Sequence, residues 1–232
     1  TIPDNGSLAV DRYDASFSGK AAHAAGSPEQ GRNALDGVML TFQGVNAWRQ
    51  QLPETARVHG IVTGGGAAPN IIPDTASAFF YLRSSDDTAL AAMKRRFADI
   101  AQGAALMTGT RVFLKQASVP YRSRRPNPVL NNSYVAVARE LGLNPVIPET
   151  GGRGSSDFGD VSHVVPGAHV YFGIADRKIP AHSIEMREAA CSDYGIEQMF
   201  RAAEAMAHVG YRFFTDPSYR ASVVEAFRAA DA

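Results

Sequence analysis

Residues 75–105 have the sequence TASAFFYLRSSDDTALAAMKRRFADIAQGAA, in which the spacing of the apolar residues changes once. Up to Arg83, apolar and polar residues alternate, which is the two-residue period of a half-buried strand. From Asp87 onward the apolar residues recur every three or four positions, as in an amphipathic helix. Asp86 or Asp87 can cap the start of that helix. The stretch therefore predicts a strand followed directly by a helix.

The flanking segments continue this pattern. Strands are predicted at residues 9–17, 57–63 and 110–117, and an amphipathic helix is predicted at 33–51. In chain order the elements are strand, helix, strand, strand, helix and strand, which is the ferredoxin-like βαββαβ arrangement. We therefore predict a domain of the α+β class over residues 9–119. This fold supports many functions, so the element order alone indicates none of them.

A different composition begins at residues 120–128, whose sequence is PYRSRRPNP. Prolines at both ends are typical of a linker. The basic cluster of Arg122, Arg124 and Arg125 is predicted to be a solvated loop, because runs of like charge are usually exposed.

The second half of the chain, residues 120–232, is rich in helical patterns and poor in strands. Helices are predicted at 129–141, 189–214 and 219–230, and the apolar run at 168–174 is predicted to be a buried strand. A sheet of one or two strands is a poor independent core. This half is therefore predicted to be part of a larger α/β domain.

Composition excludes several function classes. The chain of 232 residues is 45% hydrophobic and has a formal net charge of zero, which disfavours nucleic-acid binding. Its single cysteine, Cys191, rules out an intrachain disulfide framework and favours a reducing, cytoplasmic location. No apolar run has the length of a membrane span. HExxH, paired CxxC and phosphate-loop motifs are absent, and a serine-hydrolase site would need His163, His169 or His182 as its base.

Four segments together resemble one enzyme family. They are GKAAHAAGSPEQGRNALD (19–36), GGGAAPNIIPDTASAFFYLR (64–83), GGRGSSDFGDVSHVVPG (151–167) and IPAHSIEM (179–186). In this order they are similar to the aminoacylase, glutamate carboxypeptidase and aminobenzoyl-glutamate hydrolase family of dinuclear zinc peptidases. Within peptidase family M20, these motifs are most similar to those of the amidohydrolase branch.

The resemblance implies an architecture. In this family a ferredoxin-like lid is inserted into an α/β catalytic domain that holds two metal ions, and the lid usually forms a homodimer. Residues 9–119 would be the lid, and residues 120–232 the C-terminal portion of the catalytic domain. The resemblance therefore explains why the second half has so few strands.

The resemblance also implies roles for three lid residues. His23 would reach the active site of the partner subunit and hydrogen-bond the oxyanion of the tetrahedral intermediate. Asn70 and Arg83 would hold the substrate, and Arg83 is able to grip a carboxylate through two parallel hydrogen bonds. The alternatives are a surface histidine, a turn asparagine and an arginine at the end of a strand.

In the second half, the resemblance implies two further sites. Gly154, Ser155 and Ser156 would bind the terminal carboxylate of the substrate through backbone N–H groups and hydroxyls. His182 occupies the position of the family's C-terminal metal-binding histidine. Asp157 is expected to order the loop rather than to bind metal. The alternatives are an ordinary turn at residues 154–156 and, for His182, a loop histidine whose ring nitrogens are hydrogen-bonded within the protein.

The chain departs from the family at its other metal ligands. The His-x-Asp motif, the bridging aspartate and the Glu-Glu pair of the family are absent. A catalytic zinc ion needs about three protein ligands, so one histidine cannot hold it. His163 has no assigned role, and His59 and His208 are predicted to be structural.

We therefore predict metal-dependent hydrolysis of an amide bond in N-acyl amino acids, small dipeptides or aminobenzoyl-glutamate-like compounds by the intact enzyme. That enzyme would use two divalent ions, zinc or manganese, whereas this chain alone would be inactive and hold neither ion tightly. The chain would then be a fragment, one subunit of a split enzyme or a homologue that has lost catalysis. The alternative function is a non-catalytic dimerisation or small-ligand binding module with a ferredoxin-like fold.

Overall fold

The computed structural model describes residues 1–149, 151–152 and 154–230. They form two compact units. We call residues 8–123 the sheet unit, and residues 1–7 with the chain from Arg124 onward the helical unit. Among the described helices, none combines the length and apolar character needed to cross a bilayer.

Two α-helices, one 3-10 turn at Pro28–Gln30 and six strands build the sheet unit. The strands are β1 (Ala9–Ser18), β2 (Ala22–His23), β3 (Ala56–Gly64), β4 (Ile71–Ile72), β5 (Thr75–Ser84) and β6 (Arg111–Gln116). The helices are α1 (Ala34–Arg49) and α2 (Asp87–Thr108). Four strands form an antiparallel sheet in the order β3-β5-β1-β6, and β2 pairs with β4 in a separate two-stranded ribbon. The α+β class predicted from the sequence is confirmed.

Both helices pack on one face of the sheet, because the strands alternate as their sequences require. Along β5, alternate residues are buried: Ala76, Ala78, Phe80, Leu82. These side chains meet the apolar stripes of α1 and α2 in one core, with Phe97 of α2 fully buried 4.9 Å from Phe80 between ring centroids. The other face of the sheet carries the side chains between them, which include Phe79, Tyr81 and Arg83.

The helical unit contains α3 (Pro128–Glu140), α4 (Phe158–Ser162), α5 (Ile184–Ala190), α6 (Asp193–Thr215) and α7 (Pro217–Ala229). A small core forms where α3 meets α6, around Tyr134, Ala138 and Ala205. Asn127 caps α3 by accepting hydrogen bonds from two backbone N–H groups and donates to the carbonyl of Val223 in α7.

In the helical unit, the start of one predicted helix is shifted and one predicted strand is wrong. The helix expected at 189–214 forms, but it begins at Asp193, because the Ser192 hydroxyl caps it by accepting from the N–H of Gly195 and donating to the carbonyl of Ala189. The strand expected at 168–174 does not form. Within the described residues, only Tyr171 of this run makes a β-bridge, with Ile2. An apolar run becomes a strand only where neighbouring strands satisfy its backbone groups, and the described part of this unit supplies one residue for that.

Candidate functional site

His23 lies in a ribbon at the end of the sheet where β1 finishes and β5 begins. The chain leaves β1 at Gly19, whose backbone comes so close to Arg32 that an added Cβ would lie 1.9 Å from the carbonyl oxygen. Only glycine fits there, and the approach directs the chain into β2. His23 then pairs with Ile71 of β4, and its side chain is exposed.

Two backbone hydrogen bonds fix the orientation of the His23 ring. Its Nδ1 accepts from the N–H of Ala25 at 3.2 Å and of Gly26 at 2.9 Å. Because Nδ1 is an acceptor, the proton of the neutral ring is on Nε2. His23 therefore presents an N–H donor away from the ribbon, as an oxyanion-binding group requires.

Asn70 lies beside His23 in the same ribbon. Its carbonyl accepts a hydrogen bond from the N–H of Ala24 at 3.0 Å, and its side chain is exposed. The structure thus brings two of the residues implied by the family resemblance to one end of the sheet.

Arg83 is at the opposite end of β5. It pairs with Val10 at the start of β1, whereas Ser18 at the end of β1 pairs with Thr75. The eight residue steps from Thr75 to Arg83 span roughly 26 Å of extended strand. Within one sheet unit, Arg83 is therefore too far from His23 and Asn70 to contact the same small substrate.

The sequence analysis missed the residues that surround Arg83. Its guanidinium carbon is 5.3 Å from the centroid of the Tyr81 ring. On the neighbouring strands, the ring of His59 stacks on Tyr81 at 5.4 Å, and the guanidinium carbon of Arg12 is 5.1 Å from the same centroid. The signal available in the sequence was the alternation of apolar and polar residues along β1 and β3. It does not reveal the register in which the strands pair, and that register brings these residues together.

The glycine- and serine-rich loop precedes α4 in the helical unit. The Ser156 hydroxyl accepts from the N–H of Phe158 at 3.2 Å and donates to the Asp157 carboxylate at 3.4 Å. An added Cβ at Gly154 would meet nothing within 4 Å, so the backbone there is open. Ser155 is half-buried. Arg153, inside the quoted motif, lies outside the described residues.

His182 has a left-handed backbone conformation, with φ of 59°. This conformation costs a residue with a Cβ about 1–2 kcal/mol and is often found at functional sites. The turn is fixed by Ser183, whose hydroxyl donates to the carbonyl of Pro180 and accepts from the N–H of Met186. The His182 side chain is exposed.

The described residues do not fit a dinuclear metal centre. They contain no group of three or more histidine, cysteine, aspartate or glutamate side chains placed to hold an ion. His182 alone supplies one ligand, against the three that a catalytic zinc needs. No step of the chemistry is therefore assigned to a metal held by this chain.

The prediction of a solvated basic loop is wrong for Arg124. Its side chain is fully buried and its Nε is 2.7 Å from the equally buried carboxylate of Asp4. Its other nitrogens donate to the carbonyl of Gly6 at 2.8 Å and to Nδ1 of His169 at 2.6 Å. We call Asp4, Arg124 and His169 the buried polar cluster. The neighbouring Arg125 lies 3.4 Å from Nδ1 of His163.

The buried polar cluster predicts a pH dependence. Burial lowers the pKa of His169, and the charge of Arg124 lowers it further, against the opposing carboxylates of Asp4 and Asp157. The unfolded chain takes up this proton near pH 6.5, and the folded chain only at lower pH. The unfolded state therefore binds more protons in that window, so stability falls as pH drops below about 6.5.

Hydrogen exchange of the helical unit, corrected for intrinsic rates, measures this effect. Protection of residues 124–140 should decrease between pH 7.5 and 5.5. His169→Gln should remove most of the decrease, whereas an equal decrease in that variant would contradict the assignment.

Comparisons with known proteins indicate which proteins the chain is similar to. Residues 9–106 match the peptidase dimerisation domain of the M20 peptidases. Over 230 residues the chain is 35% identical to the Xaa-Arg dipeptidase of Homo sapiens, covering 98% of this chain and 52% of that protein. Residues 9–106 are therefore an M20 peptidase dimerisation domain. The sheet unit contains all of the matched residues.

Two further similar proteins have names that refer to aminobenzoyl-glutamate. One of the two p-aminobenzoyl-glutamate hydrolase subunits of Escherichia coli (strain K12) is 40% identical over 130 residues, which are 54% of this chain and 26% of that protein. The crystal structure of an aminobenzoyl-glutamate utilization protein from Klebsiella pneumoniae superposes with a TM-score of 0.56 at 25% identity, covering 69% of this chain and 42% of that chain. The present chain spans about half the length of the first curated relatives it matches.

Proposed function

We propose that this chain contributes the lid and part of the catalytic domain of an enzyme that hydrolyses amide bonds. The substrates would be N-acyl amino acids, small dipeptides or aminobenzoyl-glutamate-like compounds. The observation that carries the proposal is His23, whose ring is oriented by two backbone hydrogen bonds and offers an Nε2–H donor. Such a preorganised donor stabilises the oxyanion that forms when a carbonyl is attacked. The names of the relatives support the same reaction type.

We propose further that each active site is completed by two subunits. His23 and Asn70 are at one end of the dimerisation domain, and Arg83 is at the other. In a two-fold dimer, the ribbon of one protomer is able to approach the Arg83 end of its partner. One substrate would then contact His23 and Asn70 of one subunit and Arg83 of the other. The sheet order β3-β5-β1-β6, with both helices on one face, supports the ferredoxin-like lid that this arrangement needs.

The two metal ions would be held mainly by residues outside this chain. His182 would supply one ligand, and Gly154, Ser155 and Ser156 would bind the substrate carboxylate. An exposed apolar stripe on α6 supports a missing neighbour, because such faces are normally covered. Its exposed members include Ile196, Met199, Phe200 and Phe214. A cytoplasmic location remains an expectation from the single cysteine.

The proposal is tested by supplying the missing ligands. The chain should be inactive alone on an N-acyl amino acid. Joined to, or mixed with, a segment that carries the other metal ligands, it should cleave the amide, lose activity with a chelator and regain it with zinc or manganese. Ligand binding that is indifferent to chelators, with no cleavage in any combination, would favour the non-catalytic binding module instead.

A further inference from the structure

The ribbon formed by β2 and β4 has two faces, and His23 lies on only one of them. Residues that pair directly across an antiparallel ribbon share a face, and successive residues alternate between the faces. His23 pairs with Ile71, and Ala22 pairs with Ile72. The first pair is exposed, as a group that reaches a substrate must be, whereas the second pair is partly buried. The ribbon therefore packs on the sheet unit through its Ala22 and Ile72 face.

Gly31 lies against the Ala22 and Ile72 face. A Cβ added at Gly31 would be 2.6 Å from Cδ1 of Ile72 and 3.3 Å from Cβ of Ala22. Carbon atoms in ordinary contact are about 3.5–4.0 Å apart, so Ile72 packs where a side chain at position 31 would lie. The backbone of Gly31 has φ of −81° and ψ of 162°, an extended conformation open to every residue. Glycine is therefore needed at this position for space, and not for backbone conformation.

Gly31 is held in place, because the chain on both sides of it is hydrogen-bonded. Its N–H donates to the carbonyl of Pro28 at 3.0 Å, which closes the 3-10 turn. The next residue, Arg32, exchanges two backbone hydrogen bonds of 2.9 Å with Lys20 at the base of the ribbon. The Arg32 guanidinium also donates to the carbonyl of Gly31 at 2.7 Å. A larger side chain at position 31 would therefore displace the ribbon rather than the turn.

Displacement of the ribbon changes the surroundings of the His23 ring. The N–H groups that donate to its Nδ1 belong to Ala25 and Gly26, in the loop between the ribbon and the 3-10 turn. That loop folds back tightly, since the N–H of Ser27 donates to the carbonyl of His23 at 3.1 Å. A shift of His23 against this loop lengthens hydrogen bonds that are already 2.9 and 3.2 Å. Without them the neutral ring exchanges between its two tautomers and loses the fixed Nε2–H donor.

We propose that Gly31 and Ile72 are positioning residues that hold the Nε2–H donor of His23 toward the substrate. This inference rests on the proposed function, in which that donor binds the oxyanion. Ile72 packs on the backbone of Gly31 behind the ribbon, and this contact sets the distance between the ribbon and the loop that fixes the ring. A preorganised donor loses most of its effect when it is misplaced by about 1 Å, so a contact remote from the reaction controls its rate.

The kinetic test exchanges one carbon atom across this contact, in the protein complete with its metal ligands. Gly31→Ala adds a carbon that Ile72 must avoid by moving about 1 Å, so kcat on an N-acyl amino acid should fall by about tenfold to a hundredfold with KM little changed. Ile72→Val removes Cδ1, the atom nearest to the added carbon. The double variant Gly31→Ala with Ile72→Val has as many carbon atoms as the unmodified chain, and it should recover most of kcat.

Gly103→Ala is the matched control, because a Cβ added at Gly103 in α2 would meet nothing within 4 Å. It should change neither constant. Unchanged kcat in Gly31→Ala would overturn the inference, as would a rise in KM alone or a double variant no better than Gly31→Ala. Loss of the urea transition of Trp48 fluorescence in both the single and the double variant would overturn it too, since the contact would then stabilise the whole sheet unit.

Nitrogen NMR of the histidine rings separates failure of this inference from failure of the proposed function. At about pH 9, where histidine rings are neutral, it shows which ring nitrogen carries the proton, and His23→Asn identifies the signals of His23. The unmodified chain and the double variant should show only the Nε2–H tautomer, whereas Gly31→Ala should show both tautomers. This pattern in a protein that cleaves no amide would keep the positioning contact and reject the hydrolase. Cleavage with the same tautomer in all three proteins would reject the contact alone.

Discussion

Replacing His23 with alanine should lower kcat of the complete enzyme by about 10²–10³-fold and change KM little, the usual cost of removing one oxyanion donor. The donor is Nε2–H, because Nδ1 is already occupied by the N–H groups of Ala25 and Gly26. A contact that forms only in the transition state affects kcat rather than substrate binding. Steady-state kinetics on an N-acyl amino acid measure both constants.

His23→Asn is the matched control for the shape of the loop. The asparagine side-chain oxygen is able to accept hydrogen bonds from the following backbone N–H groups, as Nδ1 does, but it carries no donor at the Nε2 position. The His23→Asn variant should therefore keep the ribbon folded, but its kcat should still fall to a small fraction of the unmodified value. Near-normal activity of His23→Asn, with loss only in His23→Ala, would show that the histidine serves the loop and not the reaction. His208→Ala, at an exposed position on α6, should leave both constants unchanged.

Replacing Arg124 with methionine should destabilise the helical unit by about 3–5 kcal/mol, because it leaves the buried Asp4 carboxylate without its cation. The two side chains are fully buried and 2.7 Å apart. Asp4 also accepts from the backbone N–H of Gly6 and of His169, so it ties three separated parts of this unit together. Loss of hydrogen-exchange protection in residues 1–7 and 124–140 measures the change.

The double variant Asp4→Asn with Arg124→Met is the control for the buried charge. It removes both charges and should be less destabilised than Arg124→Met alone. The single tryptophan, Trp48, lies in α1 of the sheet unit. Its fluorescence transition in urea should stay close to that of the unmodified chain. A fully protected helical unit in Arg124→Met would contradict the assigned role of the ion pair.

Local spacing was sufficient to predict the elements of the sheet unit. The strand and helix in residues 75–105 appear at Thr75–Ser84 and Asp87–Thr108, and the cap at Asp86 accepts from the N–H of Ala89. These features depend on residues near one another in the chain. The ribbon that carries His23 was not predicted, since it depends on the pairing of His23 with Ile71, 48 positions later.

The wrong predictions concern features that depend on residues far apart in the chain. The sequence around Arg124 is typical of an exposed linker, but its partner Asp4 is 120 positions away, so only the fold brings the charges together. The run at 168–174 is apolar enough for a strand, yet a strand also needs neighbours. The cluster of Arg12, Tyr81 and Arg83 likewise requires the register between β1 and β5.

Mixing two inactive variants tests the shared active site most directly. His23→Ala and Arg83→Ala homodimers each lack one group at both sites, so each should be nearly inactive. If His23 and Arg83 of one site come from different protomers, a heterodimer of the two variants contains one site with both groups intact. Equal mixing with random exchange of subunits should then restore about a quarter of the unmodified activity, since half of the dimers regain one of two sites. No recovery in a mixture shown to contain heterodimers would mean that His23 and Arg83 of different protomers do not share an active site, and it would contradict the account.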